Sequence, residues 1–596
     1  MKTYSMHLLD TLEAAWILFI FMVAFLWVPA RLFSRPTNSD ALTRLAGNGA
    51  RMVLCVTGTA ALLSRLRALN ATTVTLLFAG SLTAAWLGRN AGSARRLWER
   101  LQTTTIGTLR WIESWSLGTH LLPRARPLIP PRPGARAHMN QWLVALESKE
   151  ILVAGLAVVL LTTTIMGGEH AVRELRLDQP EQYGLLLHAR QLILDLPAGS
   201  DPLVFPAVIA TTSLLSSRDP MQVTRFLVPA AGILTVLATG MLIRACTGSG
   251  VACLAAMYCL GAAAFPAVRN DPVVATSLTQ KLENILRVSP ASLRATPEFG
   301  LGLLFCLLAL AILVDWYKNS RSWDSLFDFS CCLALAGLIS RSLLLLLVTA
   351  AAVLMIRPMI GLITLVVVCY GLAAYAAFAV STIDPSSTHA ILPVAAAIGI
   401  GSLFALTEAM LPLPESVAEA TLLLAGLVLA VIWFPPRQLP RQCLEYDAAA
   451  RVTQQIAHQF PRQAWVVAAP VEQLTETFGL GAHEDLSGFV EKYKEQVSNS
   501  QFRFPDARQD LFIYVEKKPF QIYSREPESV SFPVLMDVTY RSYRSPGGRA
   551  SLESAALELC ESYRHYHSDA EIFFEDEELR VYHIHQLAAE TGKIGE

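Results

Sequence analysis

Between two apolar runs lies a short polar segment, Arg176-Leu-Asp178-Gln-Pro-Glu181-Gln-Tyr183, followed further on by Asp201-Pro-Leu-Val-Phe-Pro206. Acidic side chains beside a membrane are costly to keep unless they bind or react with something. That singles out Asp178 and Glu181. Arg173, Arg176 and Arg190 share the stretch, together with Glu169 and His170. A carboxylate can take the proton of an acceptor hydroxyl, and guanidinium groups can stabilise a departing phosphate. Moving a sugar off a lipid phosphate needs little more than those two. The same charges would also serve simply to solvate a loop between two spans.

The elements that must position these groups follow from composition. Of 596 residues, 53% are hydrophobic and 16% charged, and the mean hydropathy is +0.41. A soluble domain carries about a quarter charged residues, so the chain reads as a polytopic α-helical membrane protein. A span needs about 20 apolar residues. Such runs lie near 14–32, 70–88, 150–167, 203–217, 224–243, 249–266, 298–315, 326–340, 342–356, 359–380, 391–410 and 417–434, with a weaker one at 50–64 interrupted by Arg51. The count comes to about 12–13 spans. The shorter runs allow half-helices or re-entrant segments. The first run lacks a small-residue cleavage site and reads as a retained anchor.

Four regions emerge: an N-terminal membrane segment (1–88) with two or three spans, a basic linker (89–149), a membrane core (150–435) and a soluble domain (436–596). The linker holds nine arginines, with Trp98, Trp111 and Trp115 among them and Pro123, Pro127, Pro130, Pro131 and Pro133 in its later half. This is an interfacial amphipathic helix lying against anionic lipid, preferred over a nucleic-acid arm. The positive-inside rule puts it in the cytoplasm. Gly168 to Asp201 then lies on the outer face, the Lys318–Arg321 loop inside and the soluble domain outside. Between 203 and 298 the parity of crossings does not close unless one run fails to cross. The soluble domain reads as small α/β or α+β, with helices over 444–459 and 551–566 and strands over 464–469, 511–517, 572–574 and 579–584.

The order span, Asp178-x-x-Glu181-x-Tyr183, apolar helix, then Pro202-Leu203-x-x-Pro206 resembles the C-type membrane glycosyltransferases, which use polyprenyl-phosphate sugars. Ser217-Arg-Asp-Pro220 to Arg225 resembles that superfamily's tight cytoplasmic turn, and Arg244 to Gly250 its later basic-glycine turn. Leu335-Ala-Gly-Leu-Ile-Ser-Arg341 resembles its Gly-Leu-(small)-x-(Lys/Arg) segment, and Asp271-Pro272 is similar to a recurring Asp-Pro. The similarity covers about residues 150–435. It implies that Asp178 is the catalytic base, with Glu181 a second candidate as metal or acceptor ligand. It implies Tyr183 and Leu185–Leu194 as the amphipathic helix that follows. Some relatives use a divalent metal and others do not, so the resemblance assigns no certain cofactor and no metal ligand set. Departures are the long N-terminal extension and the glutamines at 179 and 182, where further acids often stand.

Other residues could contact a phosphate. Arg269, Asp271, Lys281, Glu283 and Arg287 read with Leu282, Ile285 and Leu286 as an interfacial amphipathic helix, a lid or an ordinary surface helix. Arg341, between two apolar runs, must find water, a phosphate or a carboxylate, or mark a tight turn. In the tail, His565 and His567 are two apart, as are His583 and His585; the latter pair would share one face of a strand, which permits a metal. The acidic run Glu575–Glu578 reads as a solvated turn. The ten cysteines lie mostly in apolar runs as buried thiols. Only Cys443 and Cys560 are in the tail, where an oxidising compartment would let them pair.

The expectation is a multi-pass glycosyltransferase of a cell membrane, with a bacterial inner membrane favoured. It would move a hexosyl or pentosyl group from a lipid-linked donor to a glycan, lipid or protein acceptor at the outer face. Asp178 and Glu181 are its catalytic candidates, and Tyr183, Arg176, Arg269, Lys281 and Arg341 bind substrate. Its partners are the donor, membrane lipids and the acceptor, and no nucleic acid. The alternative is a non-catalytic membrane subunit of the same fold that serves assembly or partner binding. A transporter would want ionisable residues at span midpoints, where few are found.

Overall fold

The computed structural model describes residues 2–33, 41–89, 171–172, 175–177, 180–194, 204–264, 297–320, 322–356, 362, 366, 385–410, 446–460, 464–470, 482–504, 510–518 and 546–585. The described residues are mostly helical, with a small C-terminal sheet. In the apolar region α1 (Lys2–Met22) continues through a π-type turn (Val23–Trp27) into α2 (Val28–Phe33). It is followed by α3 (Ala41–Arg65), α4 (Ala71–Arg89), α5 (Pro180–Ile193), α6 (Val204–Ser216), α7 (Pro220–Thr247) and α8 (Gly250–Ala264). Then come α9 (Pro297–Asp315), α10 (Trp323–Ile339), α11 (Arg341–Ile356) and α12 (Pro385–Met410). Among the described residues three stretches are long and apolar enough to cross a membrane: Thr11–Phe33, Pro220–Thr247 and Pro297–Lys318. The third is almost wholly buried and forms the axis against which α7, α10 and α11 pack. A helix apolar all round belongs in such a place.

Small residues set how closely the helices approach. At Gly401 of α12 an added Cβ would stand 3.1 Å from both the Ala252 carbonyl oxygen and the Ala256 Cβ of α8. An ion pair is sequestered between α3 and α10. Arg51 of α3 pairs with Asp328 of α10 and also donates to the Asp324 carbonyl at 3.0 Å. Gly47 leaves the room that the Asp328 side chain fills. The arginine that interrupts the weak apolar run at 50–64 is thus neutralised inside the protein.

α7 sets the two ends of the bundle. It is 28 residues long, about 42 Å at the usual helical rise. At its C-terminus Gly248 takes the left-handed conformation (φ 78°), which costs glycine nothing. Lys318, just beyond α9, donates there to the carbonyls of Ala245 (2.7 Å) and Cys246 (2.8 Å). At its N-terminus Asp219 caps by accepting from Met221 N at 2.8 Å, with Pro220 at the first turn. Nη2 of Arg190 in α5 donates to both oxygens of the same Asp219 carboxylate, at 2.8 and 2.9 Å. Glu13 of α1 pairs with Arg218 at 3.4 Å, and the Trp16 indole donates to Ser216 O.

This corrects one expectation. The turn at 217–220 shares an end of the bundle with α5 and does not lie across from it. α6, with 13 residues, is about 20 Å long, short of a hydrocarbon core of about 30 Å.

The C-terminal part, expected to be the soluble domain, holds α13 (Asp447–Gln459), β1 (Trp465–Ala469), β2 (Ala482–Asp485), α14 (Leu486–Tyr493), β3 (Asp510–Glu516), α15 (Pro546–Tyr566), β4 (Ala570–Glu575) and β5 (Leu579–His585). The sheet order is β2-β1-β3-β5-β4, with β1 parallel to β2 and β3, and β5 antiparallel to β3 and β4. The expected helices and strands recur with small shifts of their ends, and Glu575–Glu578 forms the β4–β5 turn. β2 and α14 were not expected. One sheet face, with Val466, Ala468, Leu511, Ile513 and Val515, is covered by α14 and α15. Cys560 is buried there, and burial pushes its thiol well up; Cys443 lies outside the described residues. The other face, with Trp465, Val467, Phe512, Tyr514 and Val581, is covered by α13 and by Leu177, Tyr183, Leu186 and Met221 of the membrane region. The soluble domain therefore sits on the segment that carries Leu177 and Tyr183.

Candidate functional site

The polar segment is tied down on both sides of Asp178. Upstream, the Asp447 carboxylate at the start of α13 accepts from Leu175 N at 2.5 Å and Arg176 N at 2.9 Å. Its second oxygen takes the Arg451 guanidinium, one helical turn on, at 2.5 Å. Leu177, 2% exposed, points into the joint with the sheet, and its N–H donates to the Tyr183 hydroxyl at 3.2 Å. Downstream, α5 begins at Pro180, a residue whose missing N–H costs nothing at a first helical turn. Asp178 and Gln179 lie between these anchors, outside the described residues. So does the side chain of Glu181, whose backbone belongs to α5.

Two expected substrate contacts are placed differently. Tyr183 is 4% exposed and packs with Leu177, Leu186 and Met221 under the sheet. It holds the segment in shape and presents no open face. Arg176 is also buried. Its charge is felt by the soluble domain: it counters the rise of the Tyr446 phenol, which burial and then Glu516 and Glu578 push up to about 12. It also opposes the rise that burial and Asp576 impose on Glu578. The Tyr446 hydroxyl in turn donates to Lys518 O at 2.7 Å. Arg176 thus belongs to a joint between membrane region and soluble domain. Its positive charge sits two residues from Asp178.

Arg269 and Lys281, with the helix expected around them, lie outside the described residues. Arg341 opens α11, directly after the Ser340 break from α10; its side chain is not described. The backbone there is the tight turn that one reading of Arg341 expects. The basic linker at 89–149 and Asp201–Leu203 also fall outside.

Sequence reasoning missed two participants. Asp447 lies far along the chain in what reads as an ordinary surface helix, and nothing in its neighbours announces a partner at 175–176. Met221 reads as belonging to a span, yet it is fully buried beneath the soluble domain.

Of the histidine pairs, His565 and His567 diverge at the end of α15. His567 stacks on Tyr563 and meets Arg503, while His565 turns to Tyr566. His583 and His585 share one face of β5, as their spacing requires. No family model, no curated protein and no solved structure matches this chain.

Proposed function

We propose that this chain is a multi-pass membrane glycosyltransferase that moves a sugar from a polyprenyl-phosphate carrier to an acceptor at the outer face. Asp178 is the base that takes the acceptor proton, Glu181 a ligand for the acceptor or a metal, and Arg176 the nearest positive charge. Arg269, Lys281 and Arg341 are reserve contacts for the donor phosphate. The observation that supports this reading most is the anchoring of the described residues that flank Asp178. Asp447 holds the backbone at 175–176 and the Tyr183 hydroxyl holds that of Leu177, and a base that must meet a hydroxyl needs a positioned chain.

The orientation follows from charge. α7 carries basic residues at both ends, Arg190 and Arg218 at one and Arg244 and Lys318 at the other, so the orientation is taken from the basic linker at 89–149, which the positive-inside rule assigns to the cytoplasm. The Arg176–Tyr183 segment and the C-terminal sheet then stand outside.

One observation favours the second reading, a non-catalytic subunit. Arg176 and Tyr183 are spent on the joint with the soluble domain, as an assembly surface would spend them. The deciding experiment compares wild type with Asp178→Asn and Glu181→Gln in membranes, reading glycan transferred to endogenous acceptors and the lipid-linked sugar pool. Lost transfer at normal protein abundance upholds the base. Unchanged transfer in both variants hands the case to the subunit.

A further inference from the structure

One cluster of metal-ligating side chains lies apart from the segment around Asp178. Strand pairing sets Asp510 of β3 opposite His585 of β5 and Phe512 opposite His583. The alternation of side chains puts Asp510, His583 and His585 on one face. There His583 Nε2 and His585 Nδ1 both converge on one atom, Asp510 Oδ1, at 2.8 and 2.9 Å. One ligand atom from each of the three residues lies within 4.8 Å of the others. Two imidazoles and one carboxylate form the ligand set that suits zinc and neighbouring first-row divalent ions, in preference to the all-oxygen sets of magnesium and calcium.

Three further features fit a built site. Glu571 of β4 stands 3.1 Å from His583 Nδ1, the nitrogen turned away from Asp510. A carboxylate there fixes the tautomer that leaves Nε2 free to bind a metal, and it raises the basicity of the ring. The His583 ring is also held mechanically: Phe512 stacks on it at 4.7 Å between centroids, and Phe460 meets it edge-on at 5.3 Å. Finally, the site has an inside and a mouth. The Asp510 side chain is 5% exposed and that of His585 53%, so an ion can enter past His585 and come to rest on a buried carboxylate.

The competing account is metal-free: Asp510 Oδ1 accepts a hydrogen bond from each imidazole, at 2.8 and 2.9 Å. The two accounts part on metal uptake, which the titration below reads.

We propose that Asp510, His583 and His585 bind a first-row divalent metal, with Zn2+ as the probe of choice and Glu571 orienting His583. The proposal is independent of sugar transfer. The test uses the full-length protein in detergent, without a polyhistidine tag and stripped by chelator. It is titrated with Zn2+ by calorimetry and with Co2+ by visible absorption. One Zn2+ per chain is expected, with Co2+ d–d bands and with protons released on binding, because the ligands must be deprotonated. His585→Ala, at an exposed position that does not threaten folding, abolishes the bands. Glu571→Gln weakens binding about 10- to 100-fold. Absence of Co2+ bands in the wild type overturns the proposal. So does Zn2+ uptake that survives both His585→Ala and His583→Ala in variants with unchanged far-UV circular dichroism.

Discussion

Asp447 Oδ1 lies 2.9 Å from the backbone nitrogen of Arg176, so the first helix of the soluble domain grips the membrane region just ahead of Asp178. The bond is between a side chain and a backbone. It therefore constrains the path of the chain whatever side chain stands at 176.

Asp447→Ala strips an acceptor from two N–H groups, of which that of Leu175 is held at 2.5 Å. Leaving a buried donor unpaired costs about 1–3 kcal/mol. Hydrogen–deuterium exchange should rise over 175–186 while the sheet stays protected. Asp447→Asn keeps one acceptor oxygen and should fall between the two. Equal exchange in all three proteins would mean that Asp447 does not clamp the segment.

Tyr183→Phe deletes the hydroxyl that receives Leu177 N and keeps the ring in its apolar bed. On the proposed reading, transfer drops several-fold with little change in abundance, as about 1 kcal/mol of lost positioning would produce. A glycan-transfer assay on washed membranes reads this directly. Full activity would make the tyrosine a packing residue only.

Glu553 of α15 provides a pH signature. Its Oε2 accepts from Glu516 N at 2.7 Å, and Arg549 holds Glu516 at 2.5 and 2.7 Å. Burial first, and the Glu516 carboxylate second, raise Glu553 well above its ordinary 4.5. The folded state therefore keeps a proton that the unfolded chain releases. Stability is greatest below about pH 4.5 for this group and declines as pH climbs from there through the raised folded value. Glu553→Gln should leave melting near pH 4 unchanged and raise the melting temperature increasingly toward pH 8. A melting difference that is flat with pH would contradict it.

In the bundle, Arg51→Leu leaves Asp328 among apolar neighbours without its partner. Removing one member of a buried pair costs about 3–5 kcal/mol. The double variant Arg51→Leu/Asp328→Leu should recover much of the lost thermal stability in detergent. Failure of the second change to restore anything would show that the pair is not coupled.

Labelling settles which turns share a side. Cysteines placed at Ser217 and at Ser249, on either end of α7, should react with a membrane-impermeant maleimide from opposite faces. Ser217→Cys should label from the face that carries the soluble domain. Same-side labelling of both would mean that α7 does not cross, and labelling of Ser217→Cys from the face opposite the C-terminal sheet would undo the account of α6 as a segment that does not cross.

What the sequence made legible were features written in local pattern. Apolar runs gave the long helices; short apolar or alternating runs gave β1, β3, β4 and β5; the spacing of His583 and His585 gave a shared face. The joint was not legible, because its partners, Asp447 with residues 175–176 and Met221 with the cluster under the sheet, come together only after folding. The Arg51–Asp328 pair was hidden for the same reason: each residue alone looks like a flaw in an apolar run. β2 escaped because Ala-His-Glu-Asp has neither alternation nor β-branched residues, and it is a strand only through pairing with β1.

The outer strands of the sheet are poor templates for a further strand. β2 is four residues long and carries Glu484 and Asp485; β4 breaks register between Ile572 and Phe574 and sets Glu571 and Glu575 along its length. Short, charged and bulged strands are how proteins refuse edge-to-edge pairing. A domain tethered to a two-dimensional surface meets its own copies at high local concentration. Here it would meet them without polymerising through the backbone, so copies can crowd together in the membrane and still remain separate molecules.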